Sequence, residues 1–214
     1  MPTINYKNGN GQRVPGTTTV IGQNLGWNKQ QLMWWANQEG LAGRNHRDTS
    51  QRAADAGTIA HYLIECDIRK LKPDCSKWEK ELVDKAETCF LNYLHWKDTM
   101  RFEPDEPELS LVSEKHQYGG TLDCPCIING KHSLFDWKTS GGVYPDYVIQ
   151  IMAYKNLWEE NFPAKPLTGG IYLLRIDKED ASWAFHYWQD VPDAWEAFKH
   201  LRELHSLQQK LKKV

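Results

Sequence analysis

The sequence predicts a mixed α/β fold, with a central mixed sheet that contains an antiparallel hairpin and is flanked by helices. Three observations support this prediction: long segments with apolar residues at helical spacing, shorter segments that alternate like strands, and an Asn-Gly pair between two apolar runs. The elements follow one another as helices, three strands, a helix, two strands and a helix. A chain of 214 residues fits a single domain, which we divide into an N-terminal helical and loop segment, a core and a C-terminal helix at 1–45, 46–190 and 191–214.

The N-terminal half is predicted to be mostly helical. Its first fifteen residues are polar and glycine-rich and indicate a loop or a short edge strand. Asn28 is a favourable N-cap, and Gly40 a favourable stop, for one of the helices. In the next two helices apolar residues recur at roughly helical spacing, although Gly57 weakens the first of them. The four predicted helices span residues 17–26, 28–39, 48–70 and 76–100.

Strands are predicted for much of the remaining chain. Pro104 and Pro107 break the chain before the first of them. The segment Tyr118-Gly119-Gly120 then turns into a strand that contains Asp123, and the strand after it contains Asp136. The other predicted elements are strands over 109–116, 169–176 and 182–188, a helix over 146–161, and a last helix from 191 to the end.

The Asn-Gly pair at 129–130 is the strongest short-range signal for a two-residue hairpin turn. This turn places Ile128 opposite Lys131, and continued pairing places Asp123 directly opposite Asp136. The two aspartates then form a non-hydrogen-bonded pair, in which Cα atoms are about 4.5 Å apart. Like charges directly opposite one another are destabilising. Two carboxylates at this distance suit a hard divalent cation such as Mg²⁺ or Mn²⁺.

Strand alternation places Lys138 on the same face as these two carboxylates. Its ammonium could contact a phosphate bound to the metal, or a water poised to attack it. The alternative is an exposed hairpin face on which Lys138 pairs with a carboxylate, and the pattern alone favours neither. The opposite face is predicted to join the core through Leu122, Cys124, Cys126, Phe135 and Trp137.

Three motifs occur in a specific order along the chain. They are Gly57-Thr58-Ile59-Ala60-His61, then Gly120-x-x-Asp123 followed thirteen residues later by Asp136-x-Lys138-Thr139, and finally Gln150-x-x-x-Tyr154. In this order they resemble the motifs of the PD-(D/E)xK nuclease superfamily, in its RecB-like exonuclease branch. The resemblance covers roughly residues 50–175, and the segment from Val14 to Ile21 is more loosely similar to phage-type single-domain members.

The resemblance implies a restriction-endonuclease-like core and a metal-dependent exonuclease that hydrolyses phosphodiester bonds at single- or double-stranded DNA ends. It implies a role in phage or bacterial recombination, replication or repair, with a recombination or replication protein as a possible partner. Two other interpretations stay open. The chain could trim DNA ends within a larger complex, or it could be a catalytically silent nuclease-fold module that binds DNA or protein. Intact acidic and lysine residues in the motifs count against the silent module.

The resemblance also implies the ligands of one or two Mg²⁺ or Mn²⁺ ions. These ligands are His61, Asp123, Asp136 and the backbone carbonyl of Trp137. A histidine beside an apolar stripe is more often a hydrogen-bonded structural residue, so the metal role of His61 depends on the resemblance. A histidine ligand leans weakly towards Mn²⁺.

The remaining motif residues receive other roles from the resemblance. Lys138 would orient or help to deprotonate a water, or stabilise developing charge. Gln150 and Tyr154 would position the lysine and the DNA strand, although they could equally be a surface polar group and an aromatic residue at the core edge. Glu65 and Glu114 lie near the motifs in sequence, but we do not expect either to bind metal.

Composition sets further bounds. The formal net charge of −2 is not the pattern of a general nucleic-acid binder, but bound cations can make an acidic site attractive to phosphate. We expect no membrane span and a cytoplasmic protein, in the bacterial host if it is phage-encoded. Trp34 and Trp35 either pack or provide a stacking surface for bases, and we favour packing. An odd number of cysteines argues against a disulfide framework. Some members of the resembled RecB-like branch hold an iron–sulfur cluster on one early cysteine and a cysteine group near the C-terminus; because no cysteine follows Cys126, we expect no such cluster.

Overall fold

The computed structural model describes residues 4–180 and 182–213, which form six helices and seven strands. The first residues of the predicted N-terminal loop and the last residue of the predicted final helix lie outside these ranges. The helices are α1 (Thr17–Asn24), α2 (Lys29–Leu41), α3 (His46–Arg69), α4 (Lys80–Lys97), α5 (Pro145–Asn161) and α6 (Pro192–Leu211). The strands are β1 (Phe102–Pro104), β2 (Leu109–Ser113), β3 (Tyr118–Leu122), β4 (Cys124–Ile128), β5 (Lys131–Lys138), β6 (Ile171–Ile176) and β7 (Trp183–Trp188).

The strands form a five-stranded mixed sheet in the order β1-β4-β5-β6-β7 and a separate antiparallel pair, β2-β3. Strands β5 and β6 are parallel and are connected through α5, whereas the other neighbours in the large sheet are antiparallel. This architecture confirms the predicted mixed α/β fold. Within the described ranges, no helix has both the length and the apolar character needed to cross a membrane.

The large sheet is buried on both faces because a separate hydrophobic cluster covers each of them. Residues of α1, α5 and α6 pack with Leu134 in one cluster, and residues of α3 and α4 pack with Phe135 and Trp137 in the other. Cys124 and Cys126 belong to the second cluster, as predicted, but Leu122 belongs to the first. Leu122 departs from the prediction because β3 leaves the large sheet.

The predicted hairpin turn is confirmed. Asn129 and Gly130 have φ angles of 52° and 76°, the left-handed conformation that a type I′ turn requires at both central positions. Ile128 pairs with Lys131, and the ladder continues in the predicted register to the pair of Cys124 and Phe135. It ends there, one pair before Asp123 and Asp136.

Four other expectations need correction. The single strand predicted through Asp123 is two strands, β3 and β4, in different sheets. The short strand β1 was not predicted, because three residues that end in proline carry little strand signal. Asn28 occupies the N-cap of α2 without a side-chain cap bond, and the helix continues through Gly40. Trp34, for which packing was favoured, is 66% exposed.

Candidate metal centre

The break between β3 and β4 positions the first acidic residue of the site. If the β4–β5 ladder continued, the backbone N–H of Trp137 would bond to the carbonyl of Leu122. Leu122 instead pairs with Leu109 in the small sheet. The side chain of Asp123 takes its place, and Oδ2 of Asp123 accepts a hydrogen bond of 2.9 Å from the N–H of Trp137. The carboxylate is therefore fixed against the end of β5.

Glu108 is a second acidic residue of the site and lies next to Asp123. It lies just before β2, and its backbone N–H donates to the backbone carbonyl of Asp123 at 2.9 Å. Its φ angle of 57° is in the left-handed region, which is uncommon for a residue other than glycine and which often marks functional sites. The local backbone therefore holds Glu108 beside Asp123.

Helix α3 brings His61 to the site because Gly57 allows a close approach to the end of β5. A Cβ atom at Gly57 would lie only 2.7 Å from Oγ1 of Thr139, which directly follows β5. His61 follows Gly57 by four residues and therefore lies on the same face of α3. From this position it faces the carboxylates of Glu108 and Asp123. The glycine of the first motif thus has a packing role.

Three potential ligand atoms, one each from His61, Glu108 and Asp123, lie within 4.8 Å of one another. Nδ1 of His61 is 3.6 Å from Oδ2 of Asp123 and 3.8 Å from Oε1 of Glu108. Both distances exceed that of a hydrogen bond. Imidazole nitrogen and carboxylate oxygen together form a donor set that suits Mn²⁺ and other divalent cations. The cluster could therefore hold a metal ion.

Asp136 and Lys138 form a buried ion pair at the end of β5. Nζ of Lys138 lies 2.5 Å from Oδ2 of Asp136, and only 4% of the Asp136 side chain and 14% of the Lys138 side chain are exposed. This burial excludes the alternative of a solvated hairpin face. Nζ of Lys138 also lies 5.3 Å from the ring centroid of Tyr147 in α5, a residue that sequence reasoning did not select.

Burial and neighbouring charges shift the pKa values of four groups at the site, which are His61, Asp123, Asp136 and Lys138. Burial raises the pKa of Asp136 to about 6, with Asp123 adding to the shift and Lys138 opposing it. Burial also raises the pKa of Asp123, against the opposing charges of His61 and Lys138. Burial alone would lower the pKa of His61 and of Lys138, but the neighbouring carboxylates outweigh it and raise both. Strongly shifted groups gathered in one place are typical of functional sites.

The residues present fit a divalent cation, since several of their buried atoms lack a hydrogen-bond partner in the described structure. These atoms are Nδ1 of His61 and both carboxylate oxygens of Asp136, whose contact with Lys138 is an ion pair without hydrogen-bond geometry. Buried polar atoms are rarely left unpaired, because an unpaired group costs about 1–3 kcal/mol. A cation would satisfy them.

Gln150 and Tyr154 lie one helical turn apart on α5 and bind each other. Nε2 of Gln150 donates to Oη of Tyr154 at 2.7 Å. Tyr154 is buried, and both Asp136 and Asp123 contribute to its raised pKa, for which burial is the largest cause. Its ring packs against Gly120, where a Cβ atom would lie 2.7 Å from Cε1 of Tyr154. The glycine of the second motif thus makes room for the tyrosine of the third.

The structure brings the six predicted side chains together around one end of β5, with Gln150 attached through Tyr154. The seventh residue, Trp137, contributes its backbone. Since N–H and carbonyl of one residue point to the same side of an extended strand, the carbonyl of Trp137 points to the side on which its N–H bonds Asp123. Sequence reasoning missed Glu108, because its position depends on a left-handed backbone and on pairing between distant strands.

Comparison with known proteins does not assign the chain to a family. No protein-family model matches the chain, and no curated protein matches its sequence. A solved structure from Eubacterium rectale named "Putative exonuclease" is 13% identical, with a TM-score of 0.48, over 79% of this chain and 70% of that chain. The solved structure of SSO0001 is 12% identical, with a TM-score of 0.35, over 72% of this chain and 74% of that chain. Likenesses this weak say nothing about function.

Proposed function

We propose that this chain is a divalent-metal-dependent deoxyribonuclease of the PD-(D/E)xK type, and that it removes nucleotides from DNA ends. The observation that carries the proposal is the cluster of His61, Glu108 and Asp123 beside the buried pair of Asp136 and Lys138. A structural ion pair would not require two further carboxylates and an imidazole with unsatisfied atoms next to it. The order of the three sequence motifs supports the same assignment.

The proposed ligands are His61, Glu108, Asp123 and Asp136, with the backbone carbonyl of Trp137. A bound Mg²⁺ or Mn²⁺ ion would polarise the phosphodiester and lower the pKa of a water molecule. The protein contributes by fixing the carboxylates: the N–H of Trp137 orients Asp123, and backbone pairing orients Glu108. These ligands are held by strand ends and a helix, which favours a preformed site.

Lys138 is proposed to stabilise negative charge that develops on the phosphate, or to hold the attacking water. Its ammonium is held by Asp136 and lines a cavity that also reaches His61. Because the pKa of Lys138 is raised by the surrounding carboxylates, it is a cation at neutral pH and not a free base in the absence of metal. Electrostatic stabilisation is therefore the role that its environment favours. Gln150 and Tyr154 are proposed to support the same wall of the site.

The first test is cleavage of end-labelled single- and double-stranded DNA, and of RNA, in Mg²⁺, Mn²⁺ or EDTA. Metal-dependent release of mononucleotides from an end supports the proposal, whereas internal cuts would make the protein an endonuclease. Asp123→Ala and Lys138→Ala should abolish cleavage while circular dichroism and melting temperature show an intact fold. Binding of DNA without cleavage in any metal would instead favour the silent binding module. Participation in recombination, replication or repair, and a protein partner, stay predictions.

A further inference from the structure

Two cavities share two lining residues, and one of the cavities reaches the candidate metal centre. The first, the site cavity, has a volume of about 360 Å³ and is lined by His61, Lys138 and Tyr147 among others. The second, the helix cavity, has a volume of about 470 Å³ and lies between α3 and α4. Ala53 and Lys178 line both of them. We refer to the two cavities together as the groove; they adjoin at Ala53 and Lys178.

Lys178 is placed there by the parallel pairing of β5 and β6. Lys138 is the last residue of β5 and pairs in register with Arg175 of β6. Lys178 follows Arg175 by three residues, in the turn that leaves the carboxyl end of β6. Ligands of α/β sheets commonly bind outside the carboxyl ends of parallel strands. Lys178 therefore lies at the edge of the sheet where the proposed chemistry takes place.

The other cations that line the groove already have carboxylate partners. Lys138 pairs with Asp136, Arg44 with Glu39, Arg52 with Glu79 and Glu81, and Lys85 with Glu179. Lys178 has no carboxylate within 4.0 Å among residues 4–180 and 182–213, and its Nζ donates instead to the backbone carbonyl of Ala53 at 2.9 Å. Its side chain thus has no ion-pair partner among the described residues, whereas the other lysines and arginines that line the groove do.

The acidic neighbours of Lys178 do not supply the missing partner. Asp177 accepts from the guanidinium of Arg175 at 2.9 Å, and Glu179 pairs with Lys85 at 3.0 Å. Burial is the largest cause and lowers the pKa of Lys178; Cys89 and Asp177 oppose this shift, and the positive charge of Lys85 adds to it. A half-buried ammonium without an ion-pair partner is stabilised when an external anion binds it.

We propose that Lys178 binds a phosphate group of the nucleic-acid strand and so guides that strand along the groove into the candidate metal centre. The inference rests on the proposed function and extends it, since Lys178 lies outside the three motifs. A lysine ammonium recognises phosphate as a compact point charge and carries no base preference. Lys178 therefore contributes to substrate binding at any sequence and takes no part in the chemical step.

The test separates binding from cleavage. Binding of a fluorescein-labelled single-stranded oligodeoxynucleotide is titrated in Ca²⁺ at several salt concentrations, and the oligonucleotide is checked for integrity afterwards. Lys178→Gln removes the charge but keeps a donor for the carbonyl of Ala53, and Lys178→Arg keeps the charge. The matched control is Lys72→Gln, an exposed lysine outside both cavities.

We expect Lys178→Gln to weaken binding about three- to tenfold, and to reduce the slope of log affinity against log salt by about 0.7–1. In Mg²⁺ the variant should show a raised KM with kcat unchanged, and Lys178→Arg should restore both binding and KM. A Lys178→Gln variant with the affinity and salt slope of the wild type and of Lys72→Gln would overturn the inference. If the wild type cleaves DNA while Lys178→Gln behaves in this way, only this inference fails. If the wild type neither binds nor cleaves nucleic acid, the proposed function fails as well.

Discussion

Nδ1 of His61 lies 3.6 Å from Oδ2 of Asp123, a separation too long for a hydrogen bond. Glu108 stands at a similar distance from the same nitrogen, 3.8 Å. Ligand atoms that share one divalent ion at about 2.1 Å stand about 3–3.5 Å apart. A small inward movement of the three side chains would therefore bring their ligand atoms to distances that suit one shared ion.

Glu108 should contribute to metal affinity even though it belongs to none of the three motifs. We expect Glu108→Gln to weaken Mn²⁺ binding by about tenfold or more, because the amide keeps the size of the side chain but removes the charge. Isothermal titration of Mn²⁺ measures the effect. Glu106→Gln is the matched control, since Glu106 is exposed two residues away and faces no ligand cluster. Equal affinities for the two variants would remove Glu108 from the site.

Lys138 should matter for turnover more than for metal binding. We expect Lys138→Met to lower kcat by about 10²–10⁴-fold, because it removes the cation next to Asp136. Mn²⁺ affinity should be unchanged or higher, since the lysine no longer competes for the carboxylate. Steady-state cleavage and Mn²⁺ titration of the same preparation give both quantities. Wild-type kcat in this variant would rule out the proposed role.

The close approach of α3 to β5 can be tested at Gly57. Alanine is the better helix former, by about 1 kcal/mol, so Gly57→Ala would be neutral or stabilising if the approach did not matter. We expect it instead to lower activity, because its Cβ would lie 2.7 Å from Oγ1 of Thr139 and would displace His61. The double variant with Thr139→Ala removes that oxygen and should recover most of the activity. Failure of the second substitution to help would place the constraint elsewhere.

The hairpin turn should control stability and activity together. Asn129 has a φ of 52°, which proline cannot adopt, so Asn129→Pro should destabilise the fold by about 3 kcal/mol or more and shift β4 and β5, which position Asp123 and Asp136. Asn129→Gly, which tolerates this conformation, should stay close to the wild type in both properties. Urea unfolding and cleavage assays check the pair. Full activity of a folded proline variant would show that the turn does not set the register.

An ion pair between α3 and α4 makes the stability of the fold depend on pH. Lys97 of α4 lies 2.6 Å from Oδ2 of Asp67 in α3. Burial tends to raise the pKa of Asp67, but the Lys97 ammonium, with Lys70 and Tyr93, outweighs it and the net pKa is lowered. Because the folded pKa is below the unfolded value of about 3.9, this group stabilises the fold above that pH and loses its effect as pH falls through the folded pKa.

The corresponding variant is Lys97→Gln. We expect it to lower the free energy of unfolding at pH 7 by up to about 1 kcal/mol, and the difference from wild type should shrink once pH falls below about 3.9. Urea denaturation at a series of pH values measures it. A difference that grows as the solution becomes more acidic would contradict the assigned direction of the Asp67 shift.

The sequence predicts those parts of the site that depend on local chemistry. The hairpin register follows from Asn129 and Gly130, and this register places the two aspartates just beyond the last pair of the ladder. The sequence does not reveal where the ladder stops, because the end of the ladder depends on the pairing of Leu122 with Leu109 in another sheet. Glu108 could not be predicted either, because its position depends on the same pairing between distant strands. Neither its spacing nor its neighbours in the sequence resemble a motif. Lys178 reaches the groove only through the parallel pairing of β6, a contact between distant segments.

The most direct test of the metal centre is a crystal structure of the protein soaked in Mn²⁺, with data collected at a wavelength where manganese scatters anomalously. We expect an anomalous peak from one Mn²⁺ ion that is bound by a ring nitrogen of His61, by Glu108 and by Asp123. Asp136 and the backbone carbonyl of Trp137 should lie beside this ion. An ion bound elsewhere, with these side chains left as they are, would contradict the assignment.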